Sequence, residues 1–170
     1  MKKTFIFLSL IILILVSKKE YNKILIPEDS IRIRVVANSN NIEDQIQKVK
    51  VKEQVERNLY NNLKDVKNIN EARNKIEKSI PELETLISNT TKNNDFTINF
   101  GNNYFPKKEL NGINYEEGNY ESLVINLGKS KGNNWWCVLF PPLCMIEVSD
   151  KDTEFVEYKS KVLEILNEYK

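Results

Sequence analysis

Apolar positions along the chain appear first as a block, then in alternation, then at helical spacing, and each pattern predicts a different element. Lys2 and Lys3 precede the run Phe5 to Val16, which only Ser9 interrupts. A positive start followed by about a dozen apolar residues has the form of a secretory signal, and the run is short beside the ~20 residues a stable membrane span needs. Ser17 follows with Leu15 two residues before it, so no A-x-A cleavage site is present. Residues 1–17 are therefore read as a signal peptide or an uncleaved signal anchor, residues 18–30, polar and containing Pro27, as a linker, and residues 31–170 as a single extracytoplasmic domain.

Within that domain Ile31, Ile33 and Val35 alternate with Arg32, Arg34 and Val36, the period of a half-buried strand. Asn38 to Asn41 stop the strand and offer helix caps. With Asn40 as the cap, Glu43 falls at the third helical position, close to a capping box. The helix that follows is expected over about Ile42 to Asp65. Its apolar residues form two offset stripes, Ile42, Ile46 and Val49, then Val51, Val55, Leu59, Leu63 and Val66, so the spacing predicts packing by more than one element. Ala72, Ile76, Ile80, Leu83 and Ile87 mark a second helix, with Pro81 inside the pattern predicting a kink or a split. Phe96, Ile98 and Phe100 alternate as a strand, Tyr104 to Leu110 is a weaker strand containing Pro106, and Tyr120 to Leu127 and Trp135 to Phe140 are strongly apolar strands. Phe155, Val156, Val162, Leu163, Ile165 and Leu166 suggest a last amphipathic helix. The reading is α+β: an antiparallel sheet of about four to five strands packed against two to three helices, in the order β-α-α-β-β-β-β-α.

Composition narrows the chemistry. The chain has 25 basic and 24 acidic side chains, a formal charge of +1, which lacks the basic field of a nucleic-acid binder. Removing residues 1–17 takes two lysines and turns that charge to −1. No histidine is present, which removes the commonest general base, the His-activated nucleophiles and the usual catalytic zinc ligands, and two cysteines are too few for a four-thiolate site. No metal, cofactor or small-molecule substrate is expected, and the balance leans towards binding over catalysis.

Local motifs are read against that background. Gly128-Lys129-Ser130 resembles the end of a phosphate-binding loop, but Leu123 stands where the first glycine is needed and a strand follows where a helix is required. Its glycines suit a hairpin loop instead. Cys137 and Cys144, with Pro141-Pro142 between them, fit either a disulfide or a pair of small core residues. Adjacent indoles on a strand point to opposite faces, so one of Trp135 and Trp136 can join the core while the other, with Phe140, Pro141 and Pro142, forms a rigid apolar patch suited to a protein partner. Both indoles in the core is the plainer reading. Glu116, Glu117 and Glu121 are a solvated turn or, less simply, a hydrolase's carboxylates. Arg32 and Arg34 share a strand face, where they either pair with nearby acids or meet an acidic partner.

The run Asn134-Trp-Trp-Cys-Val-Leu-Phe-Pro-Pro-Leu-Cys144 is distinctive, as is Ile31-Arg-Ile-Arg-Val-Val-Ala-Asn-Ser39 followed by Asp44-Gln45 and Lys48. Gly118, Tyr120-Glu121, Leu123-Val124 and Gly128 lie between them. In order and over about residues 31–146, these resemble the stage II sporulation protein R family of endospore-forming bacteria; Glu116-Glu117 departs from the Pro-Ala expected before Gly118. The resemblance implies a protein made in the forespore and exported to the space between the forespore and mother-cell membranes. There it would trigger a membrane-embedded aspartic protease that processes the sigma E precursor, with the septal membrane surface as a second contact. The chain lacks the D-[ST]-G signature of such a protease, in keeping with an activating ligand that is not an enzyme. The competing readings are an extracytoplasmic cell-wall hydrolase and a structural septal protein. Two clusters are the candidate partner-binding residues: Trp135, Trp136, Phe140, Pro141 and Pro142, and at the strand-to-helix corner Asn38, Asp44, Gln45 and Lys48, whose plainer roles are capping and surface hydrogen bonding.

Overall fold

A computed structural model describes residues 24–27, 29–91, 95–110, 113–145, 164, 165 and 167. The apolar run of residues 1–17 lies outside them, as does most of the stretch expected to form a last amphipathic helix. Strand β1 (Ile24–Leu25) is followed by β2 (Ile31–Val36), helix α1 (Ile42–Leu63), helix α2 (Ile69–Thr91), β3 (Phe96–Phe105), β4 (Lys108–Leu110), β5 (Ile113–Tyr115), β6 (Gly118–Leu127), β7 (Asn134–Phe140) and a 3-10 turn at Leu143–Met145. Residues 24–27, read as linker, thus contribute a short strand and the buried Ile26.

The α+β class holds, with one change in the sheet. The main sheet has the order β3-β6-β2-β7, and β2 runs parallel to β6 while the β3–β6 and β2–β7 pairs are antiparallel. The parallel pair follows from connectivity: β2 reaches β6 only after both helices and β3, a connection long enough to bring the chain back in the same direction. A second, small sheet has the order β1-β5-β4. Because β2 lies between β6 and β7, the segment joining those two strands is no hairpin. It crosses the end of β2.

One face of the main sheet carries Ile31, Ile33, Val35, Leu123, Ile125, Leu127 and Leu139, and these pack on Val51, Val55, Leu59 and Leu63 of α1 and Ala72, Ile76, Leu83 and Ile87 of α2. Each fully buried Ile or Leu contributes roughly 1.5–3 kcal/mol of apolar transfer. Helix α2 runs unbroken through Pro81, which is exposed. The proline removes one helical hydrogen bond, and the buried stripe on the opposite side holds the helix together across the gap. Arg73 of α2 ties the helix to the sheet through a bidentate pair with Glu121 of β6, at 2.6 and 2.8 Å. Helix α1 buries only its second stripe against the described residues. Ile42, Ile46 and Val49 are 78%, 49% and 45% exposed.

The other face is covered too. Ile26, Phe105, Tyr115, Tyr120, Val124, Trp136, Val138 and Leu143 form a second buried cluster there, and Ile165 packs against it. Arg32 lies in this layer at 1% exposure. Its guanidinium carbon stands 3.2 Å from the ring centre of Tyr120, 5.6 Å from that of Tyr115 and 5.7 Å from that of Phe105. None of its side-chain nitrogens has a hydrogen-bond partner among the described residues. Burial lowers its pKa, and Tyr120 and Tyr115 partly offset this. Arg34 stacks on Phe105 at 4.8 Å and donates to the Tyr104 carbonyl. The expected pairing of these two arginines with acids is replaced, among the described residues, by stacking on rings.

Candidate functional site

The chain leaves β2 at Val36, and Asn38 to Asn41 turn it into α1. The helix begins at Ile42 with Asn41 as its cap residue, and Asn41 makes no side-chain capping bond. Asp44, at the third helical position, does the work expected of a cap in reverse. Its carboxylate accepts from Asn38 Nδ2 at 2.9 Å and from Ser39 Oγ at 2.5 Å. Ser39 Oγ in turn accepts from the Asn41 amide. A carboxylate in the first helical turn also meets the positive end of the helix dipole. Gln45 Nε2 donates to the Ser39 carbonyl at 2.8 Å, and Lys48 Nζ donates to Gln45 Oε1 at 2.7 Å and to the Asn133 carbonyl at 3.3 Å. Burial and the neighbouring Lys108 both lower the pKa of Lys48. The four corner residues singled out from the sequence thus form one connected network.

The network receives the β6–β7 segment, Gly128 to Asn133. Asn38 Oδ1 accepts from the Lys129 amide at 2.9 Å, the Asn38 and Ala37 carbonyls accept from Lys131 and Gly132 at 3.0 and 2.9 Å, and Asn40 Oδ1 accepts from Asn133 at 2.7 Å. Two glycines permit this crossing. Gly128 has φ +53°, and a Cβ there would meet the Asn38 side chain; a Cβ at Gly132 would strike the backbone carbonyl of Ser39. The Gly-Lys-Ser segment is therefore a strand crossover strapped over the end of β2.

The other cluster divides between the two sides of the sheet. Trp136 is 6% exposed and meets Phe105 and Tyr115 edge-on, with centroids 5.0 and 6.4 Å apart; Lys108 Nζ lies 4.8 Å from its ring centre. Trp135 is half-buried on the helical side, with Lys52 Nζ 5.3 Å from its ring centre. Phe140 and Pro141 are buried and Pro142 is half-buried. Only Trp135 and Pro142 of this run reach the surface, on the flank of an edge strand, so Trp136, Phe140 and Pro141 serve as scaffold and offer no outward patch.

Cys137 and Cys144 form a disulfide, with their Cα atoms 5.6 Å apart, that folds the turn after β7 back on its strand. Closing a loop of seven residues restricts the unfolded chain by about 2 kcal/mol. Replacing both cysteines with serine is expected to lower the unfolding free energy by that amount, and dithiothreitol should reproduce the loss in the wild-type protein but not in the variant. Urea denaturation followed by circular dichroism measures both. Of the carboxylates near the β5–β6 turn, Glu116 pairs with Lys107 at 2.9 Å and Glu121 with Arg73.

The two stripes of α1 predict packing on both, yet Ile42, Ile46 and Val49 of the first stripe face outward among the described residues. The spacing of Ile42, Ile46 and Val49 was legible, but whether another element covers it depends on tertiary packing.

Comparison with known proteins decides the family. The profile described as Stage II sporulation protein R matches residues 27–150, most of the domain. The chain belongs to the stage II sporulation protein R family. A Stage II sporulation protein R from Bacillus subtilis (strain 168) is 36% identical over 137 residues, 78% of this chain and 61% of the relative, so the match covers under two thirds of that protein's length. No solved structure matches the chain. The family's matched region takes in both the corner network and the Trp-Trp-Cys run, so the resemblance-bearing residues build the crossover and the sheet's covered face.

Proposed function

We propose that this chain is an exported activating ligand of endospore formation. It works in the space between forespore and mother cell, where it contacts a membrane-embedded aspartic protease and switches it on; the protease then processes the sigma E precursor. Family membership carries the reading, because it places the chain in sporulation. The positive, apolar start of the sequence supports export, and the lack of histidine supports action by contact. In physical terms, a ligand of this kind activates by binding the active receptor state more tightly than the resting one.

The test is deletion of the gene in sporulating cells. Cleavage of the sigma E precursor should stop and return when the full chain is restored. Normal cleavage in the deletion strain would reject the reading. Release of fragments from peptidoglycan by the purified protein would favour a cell-wall hydrolase instead.

A further inference from the structure

We infer that the open edge of β3 is a self-association surface. Its occupant is the β3 of a second copy of this chain, paired antiparallel about a two-fold axis at Asn99 so that the two main sheets become one.

β3 is an outer strand of the main sheet, ten residues long, and its register on β6 runs one-to-one from Phe96↔Leu127 to Phe105↔Gly118. Just before it, the Gly128 amide donates to the Asp95 carbonyl at 2.8 Å. These two residues stand opposite each other, so they form a hydrogen-bonded pair of the ladder, and such pairs recur at every second residue. Thr97, Asn99, Gly101 and Asn103 therefore turn their backbone bonds to β6. Phe96, Ile98, Phe100, Asn102 and Tyr104 turn theirs to the open side. There the Tyr104 carbonyl accepts from Arg34. For Phe96, Ile98, Phe100 and Asn102 no backbone bond on that side is found among the described residues.

A row of unpaired N–H and C=O groups is a template for another strand, and edge strands ordinarily carry lysine, proline or a bulge against it. The opposite edge of this sheet does so. Lys52 and Lys108 lie over Trp135 and Trp136 of β7, Lys48 binds the Asn133 carbonyl beside it, and Pro141-Pro142 end it. β3 has no charged residue, no proline and no shift in register.

The unpaired set selects a second copy, because its midpoint is Asn99. Antiparallel pairing about that residue sets Ile98 opposite the other copy's Phe100, and Phe96 opposite its Asn102. Every free group in the set then meets its complement, with about eight backbone bonds in all. No charge opposes another, since the strand has none. Ile98 and Phe100 are half-buried at the rim of the core. The pairing covers each with the other, a β-branched residue against an aromatic one. Between β3 and α2 lies an open groove of about 590 Å³, with Phe96 and Ile98 on one side and Thr85 and Ser88 on the other. It leaves room beneath the edge for the side chains of the added strand.

The test is sedimentation of the purified full chain in a mild detergent, with hydrogen exchange followed by NMR. An interface of this kind belongs with the small, reversible ones, so dimers should form by about 100 µM. As they do, the amides of Ile98, Phe100 and Asn102 should exchange about tenfold more slowly, while those of Asn99 and Gly101, already bonded to β6, should not change. Asn102→Pro removes an outward N–H that the single chain does not use. It should raise the dimer Kd by about tenfold or more and leave the unfolding midpoint unchanged. Asn99→Cys sets two thiols across the axis, with Cα atoms about 4.5 Å apart, and should give a covalent dimer on oxidation. Thr97→Cys, whose copies stand roughly 14 Å apart, should not. A chain that stays monomeric at about 100 µM, a dimer that Asn102→Pro leaves intact, or a dimer in which Asn99→Cys stays unlinked would each overturn the pairing. So would protection of the Ile98, Phe100 and Asn102 amides in the dilute monomer, because another segment of the chain would then hold the edge. Protection that appears only when a different protein is added would overturn it as well.

Discussion

Gly132→Ala is expected to destabilise the protein by about 3 kcal/mol and to detach the β6–β7 crossover from the end of β2. The added methyl would strike the Ser39 carbonyl oxygen and lie 2.6 Å from its carbon and 2.9 Å from Ala37 Cβ. These are backbone and strand-end atoms that cannot swing aside as a surface side chain would, so the crossover itself must shift. With it go the bonds from Gly132 to Ala37 and from Lys131 to Asn38, and the seat of the Asn133 carbonyl on Lys48. Urea unfolding measures the loss of stability. Hydrogen exchange at Lys131, Gly132 and Asn133 should accelerate more than exchange in α2. A variant as stable as wild type would show that the crossover is not strapped in this way.

The second large effect concerns Arg32. Arg32→Ala is expected to cost about 4 kcal/mol, because it empties a fully buried position among Tyr120, Tyr115 and Phe105. Arg32→Met keeps most of the stem volume and removes a charge that has no hydrogen-bond partner among the described residues. It should therefore stand within about 1 kcal/mol of wild type or above it, since a buried charge is costly unless well paired. Calorimetric or urea unfolding of the two variants makes the comparison. If methionine proves as damaging as alanine, the guanidinium itself is needed, and rings alone do not account for its burial.

These two positions also show where the sequence was informative and where it was not. The helices were legible because the buried stripes of α1 and α2 repeat at helical spacing over several turns, and β6 because Leu123-Val124-Ile125 leaves no doubt of a central strand. The same apolar continuity, together with Trp136 and Val138, held a signal that both faces of the sheet are covered. The alternation in β2 pointed the other way, to a polar face at Arg32 and Arg34, and local alternation cannot reveal the second apolar layer that closes over it. The parallel β2–β6 pair was not readable, because its register depends on how two helices return the chain and on no residue in either strand. Gly128 and Gly132 read as a hairpin for a similar reason: a glycine at a tight turn and a glycine beneath a crossing backbone look alike in sequence. The corner residues Asn38, Asp44, Gln45 and Lys48 were found together, and the crossover explains why they sit at those spacings.

On the proposed function, this chain acts by touching a protease from outside and performs no bond cleavage itself. The most direct measurement adds the purified full chain to the outer face of vesicles carrying the membrane-embedded sporulation protease, with the sigma E precursor enclosed. Cleavage should begin on addition and disappear when the protease's own catalytic aspartate is replaced. Cleavage that persists without that aspartate, or none with the intact protease, would contradict it.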